Sequence, residues 1–297
     1  MSALPNVVLR TEDIRDFAAI RAIVADADVV VHVAGQTAVT TSLTRPLEDF
    51  SINAAGTVNV LEAARQANPS PTVLLCSTNK VYGSRVNDLP IVEEQTRYRF
   101  EKAFASGVPE TVGVDLCEHT PYGCSKLTAD LYAQDYAHVY GLRVGVFRMS
   151  CIYGPRQFGL EDQGWVAWFA IASLLRRPIT IYGDGKQMRD VLYVSDLVAG
   201  FDAFVNSDLQ LGVFNIGGGP NNTLSLIELI QMISEITGRT PEVSFSDWRP
   251  GDQRVYVSDL SRAQQTLHWR PTVAPREGIE RLIKWVKIER ALFRQMA

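Results

Sequence analysis

The stretch Asp28-Val-Val-Val-His-Val33 decides the fold class, because it is a short run of almost unbroken β-branched residues. Such a run is typical of a strand that is buried on both faces of a parallel sheet. Similar runs follow at Thr72–Cys76 (TVLLC) and Arg143–Phe147 (RVGVF). The pattern predicts another strand at Val7–Leu9 and helices over 13–25, 46–67 and 122–140. This alternation predicts an α/β fold with a Rossmann-like, doubly wound parallel sheet.

The amino-acid composition changes after residue 150, where Gly, Pro and Trp become more frequent. Strands are predicted at 179–182, 213–216 and 243–245, and helices at 195–207, 224–237 and 275–293. They predict a smaller mixed α/β domain over the carboxyl edge of the sheet, where open α/β sheets bind ligands. We expect the first domain over 1–149 with parts of 190–216, and the second over 150–189 and 217–297. Segment 84–120 has few regular signals and is interpreted as an insertion or lid.

The composition narrows the function classes. The 297 residues are 46% hydrophobic and 21% charged with a net charge of −4, which is typical of a globular protein and excludes low-complexity architectures. Without a basic stripe, nucleic acid and membrane are not expected as partners. No apolar run reaches the roughly 18 residues of a membrane span, and the N-terminus has no signal-peptide pattern. Four cysteines without a CxxC pair predict reduced thiols in a cytoplasmic protein, and four scattered histidines predict no metal site.

The sharpest chemical signal is Tyr122-Gly-Cys-Ser-Lys126. At the start of a helix, a spacing of four places the phenol and the ammonium on one face, about 5–6 Å apart. A cation at that distance lowers the pKa of a tyrosine from its usual value of about 10 and favours general acid–base chemistry. By itself the same spacing is more typical of a surface Tyr–Lys pair.

The surroundings of this pair strengthen the functional interpretation. Hydroxyl residues, Thr78 among them, follow the strand at 72–76, and small residues at Ala34-Gly35-Gln36 follow the strand at 28–33. Both positions lie at the strand ends where a doubly wound sheet places its ligands. Asn53 is a polar residue in an otherwise apolar helix. Asp13 and Ile14 suit an adenine ring, although Asp13 is equally suited to cap a helix.

Longer motifs carry a resemblance to a known family. They are AGQTAVTTS (34–42), STNKVYG (77–83), PYGCSK (121–126), FRMSCIYGPRQF (147–158), EDQGWVAWF (161–169), GDGKQMRDVL (183–192) and GDQRVYVSDL (251–260). Together they resemble the extended short-chain dehydrogenase/reductase superfamily of nucleotide-sugar epimerases and dehydratases. Within it, the chain most resembles the CDP-paratose 2-epimerase (CDP-tyvelose epimerase) family of lipopolysaccharide carbohydrate biosynthesis.

The resemblance implies an NAD-dependent isomerase that inverts a sugar carbon by transient oxidation. It implies Tyr122 as the acid/base, Lys126 as its partner on the nicotinamide ribose, and Thr78 on the reacting hydroxyl. A homodimer or homotetramer is implied, with the helices at 46–67 and 121–140 paired between subunits. The implied NAD-binding set is Asp13, Ile14, Ala34, Gly35, Gln36, Asn53, Tyr122, Lys126 and Ser150. The implied nucleotide-sugar set is Thr78, Asn79, Lys80, Cys151, Gln157, Gln163, Gly164, Trp165, Arg189, Arg249 and Asp252.

One departure from the family pattern affects the cofactor site. The superfamily holds the NAD pyrophosphate on a GxxGxxG turn, which is absent here, since Gly217-Gly218-Gly219 comes too late in the chain. We therefore expect that the chain begins at the third strand of the fold. In the order 3-2-1-4-5-6 this leaves a gap between Val7–Leu9 and 28–33. We also expect weak NAD binding.

Three alternatives to a 2-epimerase remain open. A 4,6-dehydratase needs an Asp-Glu pair after the catalytic Thr, and Asn79 and Lys80 at those positions disfavour it. A 4-epimerase is compatible with the motifs, because they do not say which hydroxyl is oxidised. A non-catalytic homologue that cannot hold NAD is the third alternative.

Overall fold

The computed structural model describes residues 6–293. Its strands are β1 (Val29–His32), β2 (Thr72–Thr78), β3 (Ile91–Glu93), β4 (Tyr98–Phe100), β5 (Val144–Met149), β6 (Cys151–Tyr153), β7 (Ile179–Tyr182), β8 (Met188–Tyr193), β9 (Leu211–Ile216), β10 (Thr223–Ser225), β11 (Val243–Ser246) and β12 (Val255–Tyr256). Its helices are α1 (Phe17–Val24), α2 (Val39–Thr44), α3 (Pro46–Phe50), α4 (Gly56–Gln66), α5 (Pro121–Tyr140), α6 (Trp165–Leu175), α7 (Val194–Val205), α8 (Leu226–Thr237), α9 (Ser261–Leu267) and α10 (Pro275–Ile288).

The central sheet has the order β1-β2-β5-β9, and each neighbouring pair is parallel. Strand β2 is buried along its whole length, because it lies inside the sheet with helices on either face. On one face, α1, α4 and α5 pack against Val73, Leu75 and Val146. On the other face, α7 and α9 pack against Phe147 and Phe214. The predicted doubly wound Rossmann-like fold is therefore confirmed.

The predicted first strand and the predicted gap in the sheet are both wrong. Residues Val7–Leu9 form no strand, and all three side chains are exposed. A run of three apolar residues fits a strand pattern locally, but a strand also needs a partner for its backbone groups. The four strands of the described sheet are adjacent to one another, with no gap between them.

The helix predicted to begin at Asp13 begins at Phe17. Its N-cap is Asp16, whose carboxylate accepts a hydrogen bond from the backbone N–H of Ala19. The capping alternative for Asp13 is therefore wrong as well. The carboxylate of Asp13 instead accepts hydrogen bonds from Arg15.

The helix predicted over 46–67 is interrupted by one wider turn. Between α3 and α4, Ser51–Ala55 form a π-helical turn, a local widening that is frequent at functional sites. Asn53 lies in this turn and is buried. The turn therefore places an amide side chain inside the molecule, at the carboxyl edge of the sheet.

The carboxyl-terminal part forms a second layer. A sheet of β10-β8-β12, to which β6 is also paired, and the pair β11-β7 support α6, α8 and α10 around an apolar core that includes Phe169, Ile179 and Leu282. The segment 84–120 packs rather than standing open, since Tyr98 and Phe100 are buried in a cluster with Tyr256. Among the described residues, no helix is both long enough and apolar enough to cross a bilayer.

Candidate active site

The start of α5 carries the Tyr122–Lys126 pair. Thr120 caps the helix, because its hydroxyl accepts a hydrogen bond from Gly123 N–H, and Pro121 occupies the first helical position, where proline is favoured. One turn of helix then places both Tyr122 and Lys126 in the interior, each less than a tenth exposed. The pair is therefore part of the core and not a surface pair.

The end of β2 meets this turn. The Thr78 hydroxyl lies beside the Tyr122 phenol and lowers its pKa. The Lys126 Nζ donates to the carbonyl oxygen of Cys76, two residues before Thr78, at 2.7 Å. The three residues that the sequence predicted to be catalytic therefore lie at one place.

The predicted direction of the Tyr122 pKa is wrong. Burial raises the pKa of the Tyr122 phenol to about 12, the Thr78 hydroxyl lowers it in part, and the charge of Asp49 raises it further. Burial also lowers the pKa of Lys126. Taking a group out of water disfavours its charged form, and burial is the largest influence on the pKa of both side chains.

The loop after β1 forms the adjoining wall. The amide of Asn53 accepts from Gln36 N–H at 2.9 Å and donates to the Gln36 carbonyl at 3.0 Å. It also donates to the Ser125 hydroxyl at 3.1 Å, so it joins this loop to α5. Ala34 and Gly35 remain exposed beside Gln36.

The other predicted cofactor residues are more dispersed. Ile14 lies against Gly56, where a Cβ would come within 2.6 Å of its side chain, and this is less than one turn from Asn53. Asp13 is exposed and engaged with Arg15. Ser150 donates to the carbonyl oxygen of Asp190 at 3.0 Å, between the central sheet and β8.

A cavity of about 240 Å³ opens beside these residues. It is bounded by the loop before α6, by β7 and β8, and by the loop at 249–252. Its walls include eight of the predicted nucleotide-sugar residues: Lys80, Cys151, Gln163, Gly164, Trp165, Arg189, Arg249 and Asp252.

Two arginines supply the positive charge of this cavity. Arg189 is almost fully buried and pairs with Asp252 at 2.6 Å. Arg249 pairs with Asp162 at 2.9 Å, and its guanidinium lies 3.9 Å from the ring centroid of Tyr182. Planar guanidinium groups match the oxygens of a phosphate and stack on flat rings. The cavity can therefore receive a phosphate together with a planar group.

Three of the predicted nucleotide-sugar residues do not line this cavity, and they are Thr78, Asn79 and Gln157. Asn79 donates to the Gln253 side chain at 3.3 Å. Gln157 donates to the Ile152 carbonyl at 3.2 Å and lies behind Gly164. Asn79 and Gln157 hold the cavity walls from outside.

Three residues of the site were not predicted from the sequence. Tyr182 lies beneath Arg249, and Asp162 is the partner of Arg249. Asp49 is buried beside Asn53, to which it is hydrogen-bonded. The only signal for Asp49 is its spacing of four from Asn53, which puts the two side chains on one helix face.

Comparison with known proteins agrees with this geometry. Residues 3–217 match the model of the NAD dependent epimerase/dehydratase family. The chain belongs to this family. Its cofactor is NAD, because the family is NAD-dependent and related structures contain NAD.

Individual relatives cover most of the chain. CDP-paratose 2-epimerase of Salmonella typhi is 41% identical over 265 residues, which are 87% of this chain and 77% of that protein. UDP-glucuronate 4-epimerase of Thermodesulfobacterium geofontis is 28% identical, over 93% of this chain and 78% of that protein. The Thermus thermophilus UDP-glucose 4-epimerase in complex with NAD superposes with a TM-score of 0.80 at 28% identity, covering 96% of this chain and 86% of that structure.

The described residues fit the nicotinamide end of NAD by the chemistry of their donors. Lys126 Nζ has a single hydrogen-bond acceptor among residues 6–293, the Cys76 carbonyl. An ammonium group has three N–H donors, so two are left for the hydroxyls of a ribose. Exposed Ala34 and Gly35 leave room beside it for a flat ring.

Proposed function

We propose that this protein is an NAD-dependent nucleotide-sugar epimerase that inverts C2 of a CDP-linked dideoxyhexose through a transient keto sugar. The observation that carries the proposal is the convergence of Thr78, Tyr122 and Lys126 beside a cavity lined by two arginines. The similarity to CDP-paratose 2-epimerase supports the choice of sugar and carbon. We also propose that the protein is cytoplasmic.

The roles of the catalytic residues follow from their donors and acceptors. Tyr122 as the phenolate takes the proton of the sugar hydroxyl and, once it is the phenol, returns that proton, while Thr78 holds the hydroxyl in place. Lys126 stabilises the phenolate that forms and holds the nicotinamide ribose. When NAD is bound, it supplies reversible hydride acceptance. Between the two hydride transfers, the chain has to retain the keto sugar while its other face is presented.

The nucleotide is held by the arginine side of the cavity. Arg189 would exchange part of its pairing with Asp252 for a phosphate, and Arg249 would do so with Asp162. A guanidinium forms bidentate charged hydrogen bonds to phosphate as well as to carboxylate. The ring of Tyr182 then offers a surface on which a pyrimidine base can stack.

The residues after Thr78 favour an epimerase over a dehydratase. Elimination of water needs an acid and a base next to the sugar, and Asn79 and Lys80 supply no carboxylate. The Lys80 Nζ donates to the Gly251 carbonyl at 3.0 Å, so it is tied to the loop at 249–252. Burial and the charge of Arg189 lower its pKa to about 8. In its ammonium form, Lys80 lines the cavity and would contact a phosphate there.

We also propose a homodimer built on α3 and α5. The large apolar residues that are at least 45% exposed include Leu47 and Phe50 on α3, and Leu131, Tyr132 and Val139 on α5. The two helices pack on each other, so these side chains form one apolar surface. Exposed apolar surface of this kind is typical of protein–protein contacts.

The activity test uses CDP-paratose with NAD in D₂O and follows C2 by NMR. Transient oxidation returns the same hydrogen to C2, so we expect CDP-tyvelose without deuterium at that carbon. Conversion of a UDP-sugar but not of CDP-paratose would contradict the substrate proposal, and deuterium at C2 would contradict the mechanism.

The matched variants are Tyr122→Phe and Tyr132→Phe, which lie on the same helix with only the first inside the site. General acid–base catalysis contributes about 10²–10⁴-fold. We therefore expect Tyr122→Phe to lose at least about 10²-fold in turnover with nucleotide-sugar binding retained, and Tyr132→Phe to keep its activity. Equal turnover in both variants would refute the role of Tyr122. Isothermal titration with NAD tests the non-catalytic alternative and the prediction of weak binding.

A further inference from the structure

Asp49 is a buried acid that the proposed mechanism does not use. Its Oδ1 accepts hydrogen bonds from Gln36 Nε2 and Asn53 Nδ2, each at 3.1 Å. Its Oδ2 is buried and has no hydrogen-bond partner within the described residues. An unsatisfied buried polar atom costs about 1–3 kcal/mol. A carboxylate at this position therefore calls for an explanation beyond packing.

The contacts of Asp49 lead directly into the catalytic centre. Asn53, which it holds, bonds both backbone groups of Gln36 and the Ser125 hydroxyl. Ser125 lies between Tyr122 and Lys126 on α5, and its hydroxyl donates to the Tyr122 carbonyl at 3.1 Å. The carboxylate therefore contacts the loop at 34–38 directly, through Gln36, and is one amide away from the catalytic turn.

The charge of Asp49 has no ion-pair partner within 4 Å among residues 6–293. The titratable groups that face it are Lys126, Tyr122 and Cys124, all on α5. On its own helix, the neighbouring Glu48 pairs instead with Arg45 at 2.9 Å. Burial raises the pKa of Asp49, whereas the Ser125 hydroxyl and the charge of Lys126 lower it. The ionised form of Asp49, which the charge of Lys126 favours, therefore faces α5.

The charge of the Asp49 carboxylate acts on Lys126. The groups that raise the pKa of Lys126 against its burial are Cys76, Asp130 and Asp49. Asp130 is already held by Arg148, through two bonds of 3.0 Å, and burial raises the pKa of the Cys76 thiol to about 11, so it is neutral. His32, the remaining titratable group that faces Lys126, has its pKa lowered to about 4 and is neutral too. Asp49 is therefore the acid beside Lys126 without a cation of its own.

We propose that Asp49 is a positioning residue of the catalytic centre: it fixes the Asn53 and Gln36 amides and is the counter-charge of Lys126. The inference rests on the proposed function only for its effect on turnover. The hydrogen bonds and the charge of Asp49 act in the protein whether or not the substrate is the one proposed. The two parts can also be separated, because an asparagine keeps an acceptor oxygen and loses the charge.

The charge is tested with Asp49→Asn and the control Glu48→Gln, which removes a neighbouring exposed carboxylate. Lysine Cε NMR of ¹³C-lysine-labelled protein, with the Lys126 signal assigned through Lys126→Arg, reads the pKa of Lys126 without any turnover. Loss of a nearby anion disfavours the ammonium form, so we expect this pKa to fall by about one unit in Asp49→Asn. We expect no change in Glu48→Gln. An unchanged Lys126 pKa in Asp49→Asn would overturn the counter-charge role.

The positioning is tested with Asp49→Ala, which removes the acceptor as well. We expect amide hydrogen exchange at 34–38 to rise at least tenfold and NAD affinity to fall about tenfold, with little change in either for Asp49→Asn. Exchange in Asp49→Ala equal to that of Glu48→Gln would overturn this role. If the unmodified protein fails to turn over CDP-paratose, the proposed function fails, while exchange and NMR still decide the role of Asp49.

Discussion

Replacing Asp130 by alanine tests how the catalytic strand is held against α5. The Asp130 carboxylate is fully buried and accepts hydrogen bonds from Arg148 Nε and Nη2, each at 3.0 Å. It also accepts from the Ser77 hydroxyl at 2.7 Å, and Ser77 directly precedes Thr78 in β2. The substitution therefore removes the carboxylate acceptor of a buried guanidinium and of a buried hydroxyl at the same time.

The expected cost follows from this burial. Removing one partner of a buried ion pair costs about 3–5 kcal/mol, because the other charge stays in the interior without compensation. We expect Asp130→Ala to lower the free energy of unfolding by about 4 kcal/mol. With an m-value of about 3 kcal/mol/M in urea, the midpoint would fall by roughly 1.3 M.

Urea denaturation followed by tryptophan fluorescence measures the difference. The matched control is Glu235→Ala, which breaks the exposed pair of Glu235 with Arg276 and should cost less than about 1 kcal/mol. The double variant Asp130→Leu/Arg148→Met removes both charges and should recover most of the loss. An Asp130→Ala midpoint no lower than that of Glu235→Ala would refute the reasoning.

Three other predictions concern the nucleotide, pH and assembly. Arg189→Met should raise KM for the nucleotide-sugar about 10–100-fold with a smaller effect on kcat, since charged hydrogen bonds contribute about 1.5–3 kcal/mol; steady-state kinetics measures it, and an unchanged KM would contradict the phosphate role. Burial lowers the pKa of His32 to about 4, so on acidification the unfolded chain binds a proton at a higher pH than the folded chain does. Between pH 7 and pH 4, denaturation should show that the free energy of unfolding falls by about 3 kcal/mol more in the unmodified protein than in His32→Gln. Equal losses would argue against the lowered pKa. Leu47→Glu, at a position 84% exposed, should convert a dimer to monomers in analytical ultracentrifugation, whereas Leu160→Glu, on an exposed loop, should not; a protein that is already monomeric at micromolar concentration would rule out the proposed interface.

Elements whose borders carry a local chemical signal were predictable from the sequence. The start of α5 follows from Thr120 and Pro121, and β2 follows from an unbroken apolar run. The failure at Val7–Leu9 has a different origin, because pairing depends on a neighbouring strand that no local pattern encodes. The π-helical turn around Asn53 was not predicted either, because the pattern over 46–67 predicts one continuous helix.

The site was predictable where residue type and spacing suffice. Thr78, Tyr122 and Lys126 were placed together correctly, because strand ends and a helix start converge at the carboxyl edge of a parallel sheet. Asp49 was missed because Glu48 beside it has the same chemistry and faces solvent. Only the direction of the side chain separates the two, and that depends on how α3 packs on α5.

The Tyr122–Lys126 pair shows why charge spacing alone does not determine protonation. A nearby cation lowers a tyrosine pKa by about 1–3 units, whereas full burial raises it by up to about 3–5 units. Whether the pKa rises or falls therefore depends on how deeply the side chain is buried. Here burial raises the pKa of the phenol to about 12. The same burial lowers the pKa of Lys126, which weakens the cation that the phenolate needs. In its ionised form, the Asp49 carboxyl opposes that loss, and it holds this buried position although one of its oxygens has no hydrogen-bond partner within residues 6–293.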